Sequence, residues 1–267
     1  MKGKIMSNAH GSFIWYELLT RDAGKAKAFY DSVCGWNIDA EAPPGGMDYR
    51  MINAGDGQAG GVMQLNADMI AGGAKPVWLG YLGVDDVDAS VAAVVAEGGQ
   101  VHLPAFDIPE VGRLAMVTDP QGIPFYVMRG ASPESSTAYQ RTGFGHVAWN
   151  ELLTTDDAAA LAFYAKLFAI EKVGSMPMGE MGEYSFIANG DSKGEAVGAV
   201  MKAQPGTPAG WGFYFRVPDI TEAQAKVEAG GGKVIWGPHE VPGGEWVINI
   251  VDPEGVTCGF VSPGKSG

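Results

Sequence analysis

The stretch that decides the fold is Trp15-Tyr16-Glu17-Leu18-Leu19-Thr20, together with its echo Trp149-Asn150-Glu151-Leu152-Leu153-Thr154. Both run on to an aspartate, Asp22 and Asp156, and then to Phe29-Tyr30 and Phe163-Tyr164; between 15–30 and 149–164, ten of sixteen positions are identical without a gap. A second match follows at nearly the same offset. It pairs Val84 with Val217, Val101 with Val234 and Pro109 with Pro242, and it sets Asp119-Pro120-Gln121-Gly122 against Asp252-Pro253-Glu254-Gly255. A period of 133 to 134 residues is too long for a solenoid and suits two tandem domains. The expected boundaries are 10–130 and 143–263. The segment 131–142 between them is read as a linker, because it opens with small polar residues around Pro133.

Each half reads as two smaller units. In the first, a strand (13–19) leads to a helix (22–34) whose Ala26, Phe29, Tyr30 and Val33 fall three to four apart. Thr20 or Asp22 would cap that helix. Strands near 35–40, 47–53 and 59–65 follow. The second unit starts with the apolar strand 77–84. Its helix (86–97) aligns Val87, Val91, Val94 and Val95 and stops at Gly98-Gly99, and strands near 100–103, 113–118 and 124–129 close it. The second half repeats the pattern, with helices near 156–168 and 219–229. The fold class is therefore α+β, with the order strand-helix-strand-strand-strand occurring four times.

Composition bounds the function. The chain has 267 residues, of which 46% are hydrophobic and 10% aromatic, enough to bury real cores. It carries 18 Lys+Arg against 31 Asp+Glu, a net charge of −13, which argues against a nucleic-acid partner because a phosphate backbone needs a basic surface. The start, Met1-Lys2-Gly3-Lys4-Ile5-Met6-Ser7, lacks an apolar run after its lysines, and no segment approaches a membrane span. Cys34 and Cys258 form no disulfide framework, so a reduced, cytoplasmic protein is expected. The four histidines, His10, His102, His146 and His239, fall at no metal-ligand spacing and are read as incidental.

The two strand-to-Asp-x6-Phe-Tyr segments, the Val-Asp-Asp (84–86) and Val-Pro-Asp (217–219) strand ends, the glycine-ended helices and the paired Asp-Pro-x-Gly turns resemble the glyoxalase/bleomycin-resistance/extradiol-dioxygenase (vicinal oxygen chelate) superfamily. The likeness covers about 10–262 and is nearest to its tandem two-domain members. It implies four βαβββ units in two glyoxalase-like domains, each curling a sheet into a cup for a small ligand. Metal-using members carry ligands at positions that fall here on Trp15, Gln64, Leu79 and Tyr126, and in the second half on Trp149, Lys202, Gly212 and Gly259. Only Gln64 coordinates well, whereas a divalent site needs three or four ligands, so no metal ligands and no cofactor are expected.

The same alignment, with side chains two apart sharing a strand face, lines the cups with Trp15, Glu17, Gln64, Tyr81 and Tyr126, and with Trp149, Glu151, Lys202, Tyr214 and Arg216. Such a set suits a flat or partly aromatic small molecule. Glu17 and Glu151 are the candidate general bases. Equally, each is half of a structural pair, with Arg216 as one partner, since a carboxylate in an apolar strand is costly unless paired. Three readings follow: a small-molecule-binding protein without the family metal, a divalent-metal lyase or isomerase of the glyoxalase I kind, and a structural or interaction protein with closed cups. Because two domains share one chain, a monomer or weak homodimer is expected.

Overall fold

The structure, a computed structural model, describes residues 8–44 and 46–264. Readings that rest on Met1–Ser7 or on Gly45 lie outside the described residues. The first half runs β1 (Phe13–Thr20), α1 (Ala23–Cys34), β2 (Asn37–Ile38), β3 (Tyr49–Ala54), β4 (Gly57–Gln64), α2 (Ala67–Ala71), β5 (Val77–Gly83), α3 (Val87–Ala96), β6 (Gln100–Ile108), β7 (Gly112–Thr118) and β8 (Pro124–Gly130). The second runs β9 (Val147–Thr154), α4 (Asp157–Phe168), β10 (Glu171–Pro177), β11 (Glu183–Ala188), β12 (Gly198–Lys202), β13 (Gly210–Arg216), α5 (Ile220–Ala229), β14 (Lys233–Glu240), β15 (Trp246–Val251) and β16 (Thr257–Ser262). Four βαβββ units result, and each half forms one eight-stranded sheet. The strand orders are β2-β3-β4-β1-β5-β8-β7-β6 and β10-β11-β12-β9-β13-β16-β15-β14.

An aspartate starts each long helix for a local reason. The carboxylates of Asp22, Asp86, Asp156 and Asp219 accept from backbone N–H groups of the first turn at 2.7–3.0 Å. Each thereby satisfies donors that the helix itself leaves open. Asp22 is thus the cap of α1, while the Thr20 hydroxyl accepts from the Asp22 N–H at 3.2 Å. Two details differ from the sequence reading. Helix α3 buries Val87, Ser90 and Val94, whereas Val95 is 50% exposed, because the buried stripe follows i, i+3, i+7 and leaves 95 a full step round the helix. Helix α2 is an addition, capped by the Asn66 side chain, which accepts from the Met69 N–H at 2.9 Å.

The residues cluster into two compact units, and neither is a half of the sequence. Among the described residues, the first contains 8–14, Gly80–Ser136 and Asn150–Trp211; the second contains 15–44, 46–79, Thr137–Trp149 and 212–264. Each unit is tied by the same devices. In the second, Trp78 donates to the Tyr30 hydroxyl at 3.1 Å, and Tyr30 donates to Asp252 at 3.0 Å. In the first, Trp211 donates to Tyr164 at 3.1 Å and Tyr164 to Asp119 at 3.3 Å. The variable residue of each Asp-Pro-x-Gly turn also grips the helix start of the opposite half. Glu254 accepts from the Thr20 hydroxyl and from the Arg21 N–H, and Gln121 accepts from the Thr155 hydroxyl and the Asp156 N–H.

Candidate functional site

Three groups of residues carry the sheet-face chemistry, and the first stands on β1, β3 and β4 in the second unit. Glu17 pairs with Gly61 and Leu19 with Met63 across β1 and β4, and Tyr49 pairs with Met63 across β3 and β4. Directly paired residues share a face, so Trp15, Glu17 and Tyr49 stand together. The Trp15 indole donates to the Tyr49 hydroxyl at 2.7 Å. The tyrosine ring lies across Gly61, where a Cβ would overlap its outer atoms. Glu17 is only 2% exposed. Gln64 is not on this face. It pairs with Thr20, one residue out of phase, and its side chain accepts from the Ala23 N–H at 3.1 Å at the start of α1. There it borders an open hollow of about 310 Å³ with Met47, Asp48 and Asn66.

The second group, also in the second unit, stands on β13, β15 and β16. Tyr214 pairs with Gly259 and Arg216 with Val261; Asn249 and Val247 pair with the same two residues from β15. The Tyr214 ring leans over Gly259, and a Cβ there would overlap it. The Arg216 guanidinium is buried and donates to Glu245 at 2.6 Å and to the Arg141 carbonyl at 3.1 Å. Glu245, rather than Glu151, is therefore its ionic partner. Arg141 extends from the segment before β9, with its guanidinium 5.0 Å from the centroid of the partly buried Trp149 ring and 3.5 Å from Glu245.

The third group belongs to the first unit. Tyr81 and Tyr126 pair across β5 and β8 and stack face to face, centroids 4.2 Å apart and 15° from parallel. Both are 5% exposed. Glu151 accepts from the Tyr184 hydroxyl at 2.7 Å. Lys202 pairs with Thr154, hence off the Glu151 face, and is exposed. It repeats the one-residue offset of Gln64.

Tyr49, Tyr184, Glu245 and Asn249 are absent from the residues singled out by sequence. So is the role of His146, which is fully buried and donates from Nε2 to Asp56 at 2.7 Å. Burial also sets the state of the ionisable groups below the sheets. It raises the carboxyls of Asp119 and Asp252, and it lifts the Tyr30 and Tyr164 phenols and the Cys34 and Cys258 thiols well above their ordinary values. Neither thiol is a nucleophile there, since the reactive form is the thiolate.

The Glyoxalase/Bleomycin resistance protein/Dioxygenase superfamily model matches residues 12–127 and again 143–260. The chain belongs to this superfamily. Within it, the chain is 35% identical over 249 residues to the protein named "Putative glyoxylase CFP32" of Mycobacterium tuberculosis and Mycobacterium bovis, covering 93% of this chain and 94% of theirs. It is 26% identical to the anthracycline biosynthesis protein DnrV of Streptomyces peucetius, covering 92% of this chain and 91% of that one. The crystal structure of the Mn(II)-bound glyoxalase from Novosphingobium aromaticivorans shares the fold, with a TM-score of 0.61, 17% identity, and coverage of 96% of this chain and 83% of that one.

A superfamily ion does not fit the donors present here. The inherited ligand positions carry an indole at Trp15 and Trp149, an alkyl chain at the fully packed Leu79, a stacked phenol at Tyr126, no side chain at Gly212 and Gly259, and Gln64 and Lys202 off the face. A divalent ion takes imidazole, carboxylate or thiolate. Among the described residues, no three His, Cys, Asp or Glu are grouped to hold one. Among them too, no helix is long and apolar enough to cross a membrane.

Proposed function

We propose that this superfamily member binds a planar small molecule without the family metal, on the aromatic and polar side chains of its sheet faces. The observation that carries this reading is the replacement of the inherited ligand set by tryptophan, tyrosine, leucine and glycine. Trp15, Trp149, Tyr81, Tyr126 and Tyr214 offer flat apolar surface, and Glu17, Glu151 and Arg216 supply polar contacts, an arrangement suited to stacking with a few orienting hydrogen bonds. The protein works as a cytoplasmic monomer or weak homodimer, with halves bounded at 10–130 and 143–263, and takes no nucleic acid. The name of the Streptomyces peucetius relative, an anthracycline biosynthesis protein, agrees with an aromatic ligand.

A second reading, a divalent-metal lyase or isomerase, draws on the mycobacterial relatives' glyoxylase name and on the Mn(II)-bound structural neighbour. Elemental analysis of tag-free protein, with a thermal-shift screen of planar aromatics before and after EDTA, separates the two. The expected outcome is metal well below one per chain and ligand stabilisation untouched by EDTA. One metal per chain, with ligand binding lost on chelation, would sink the metal-free reading.

A further inference from the structure

We propose that the second half selects its ligand through Asn249, and that the ligand presents an O–H or N–H donor at the edge of a planar conjugated ring. This rests on the small-molecule reading above and names its chemical class. Asn249, Gly259 and Tyr214 form one row across β15, β16 and β13. Neighbouring strands stand about 4.8 Å apart, so Asn249 and Tyr214 face each other over a residue without a side chain. The Asn249 amide oxygen Oδ1 is buried and makes no hydrogen bond. Native proteins rarely leave such an acceptor unmade, and a donor arriving from a ligand completes it. The approach runs over Gly259, where the Tyr214 ring now leans, so entry of the ligand shifts that ring.

The first half has the same row without the same chemistry. Met116, Tyr126 and Tyr81 stand in register there, apolar at one end and closed by stacked rings at the other. Of these two rows, that of the second half joins a glycine to a buried acceptor without a hydrogen bond. The adjoining row carries Arg216, whose charge is already met by Glu245 at 2.6 Å. In the Asn249 row itself the unmet demand is for a donor, which an amide oxygen takes from a neutral O–H or N–H.

The test is a fluorescence titration of the full chain with 2-hydroxyanthraquinone against 2-methoxyanthraquinone, rings matched except for the donor. A second arm sets 2-quinolone against its N-methyl derivative, so that O–H and N–H sources are told apart. In at least one arm, the donor-bearing ring binds about tenfold tighter, the effect of one buried hydrogen bond. In Asn249→Leu that ratio falls to about one while the methylated rings keep their affinity. The same variant, ligand-free, melts about 2–4 °C higher, because an orphan acceptor is replaced by an apolar group of like volume. A structural asparagine would instead give a lower melting temperature. Equal affinities within both pairs, or a ratio unchanged in Asn249→Leu, overturn the proposal and leave the small-molecule reading standing. Failure of all four rings to bind overturns both. The ratio on the unaltered protein is decisive even if the variant fails to fold.

Discussion

Both sheets bring the strand that closes their first unit against their first strand through a glycine, and after that glycine they diverge. A Cβ on Gly60 would run into the carbonyl oxygen of Tyr16, and one on Gly198 into that of Asn150. The next residue is Gly61 in one half and Ala199 in the other. The outer atoms of the Tyr49 ring occupy the space over Gly61, and its hydroxyl serves the Trp15 indole. Beside Ala199 the tyrosine of the neighbouring strand, Tyr184, reaches the carboxylate of Glu151 instead. The β5/β8 pair and its repeat show the reverse assignment. The first half fills the inherited position with Tyr126 and stacks Tyr81 on it, while the second leaves Gly259 and lets Tyr214 lean across. Duplication has kept the backbone contacts and changed the faces, one side chain at a time.

The largest expected effect breaks what the halves share. Gly198→Ala and Gly60→Ala each force a methyl group into a neighbouring carbonyl, and a sheet backbone cannot yield as a side-chain tip can. Each variant loses about 3 kcal/mol or more, read as a fall in the urea midpoint at constant m. A half that tolerates its alanine while the other does not would end the idea of a common scaffold.

What was legible in the sequence was local. An aspartate before an apolar helix is a cap wherever it sits, so Asp22 and Asp156 announce α1 and α4 without tertiary information. The Asp-Pro-x-Gly turns mark the last strands in the same way. The face of a strand residue is less forgiving. Gln64 and Lys202 are one position from Met63 and Met201, and a slip of one residue turns a side chain to the other side of the sheet. Tyr49 and Tyr184 escape an alignment by offset because the connection before them differs in length between the halves. Which helix meets which Asp-Pro-x-Gly turn is a long-range choice. Nothing near Tyr30 in sequence points to Asp252, which accepts its hydrogen bond.

A medium effect sharpens the contrast at the second glycine. In Gly61→Ala the new methyl overlaps only the outer atoms of Tyr49, so the ring swings away and its bond to Trp15 breaks. The change costs about 1–2 kcal/mol, less than the cost of Gly60→Ala, and alters the tryptophan fluorescence. Ala199→Gly leaves Tyr184 on Glu151 and costs about 0.5–1 kcal/mol through strand flexibility alone. A crystal structure of Gly61→Ala with Tyr49 still bonded to Trp15 would refute the claim that this one methyl decides the tyrosine's partner.

The smallest effect lies at the helix ends, where the second half carries the poorer residue. Helix α1 is followed by Gly35 at φ 70°, and α4 by Ala169 at φ 50°. Both backbones are left-handed, a conformation that closes a helix by bonding its last carbonyls and that glycine adopts without a Cβ penalty. Alanine there is strained by about 1 kcal/mol. Ala169→Gly therefore raises stability by about 0.5 kcal/mol or less once the extra freedom of the unfolded glycine is counted. Gly35→Ala lowers it by a similar amount through backbone strain alone, since a Cβ at Gly35 meets nothing within 4 Å. Opposite signs in the two melting temperatures would trace the difference between the halves to a single dihedral angle, and equal signs would mean that the loop after α4 is held by something other than its φ.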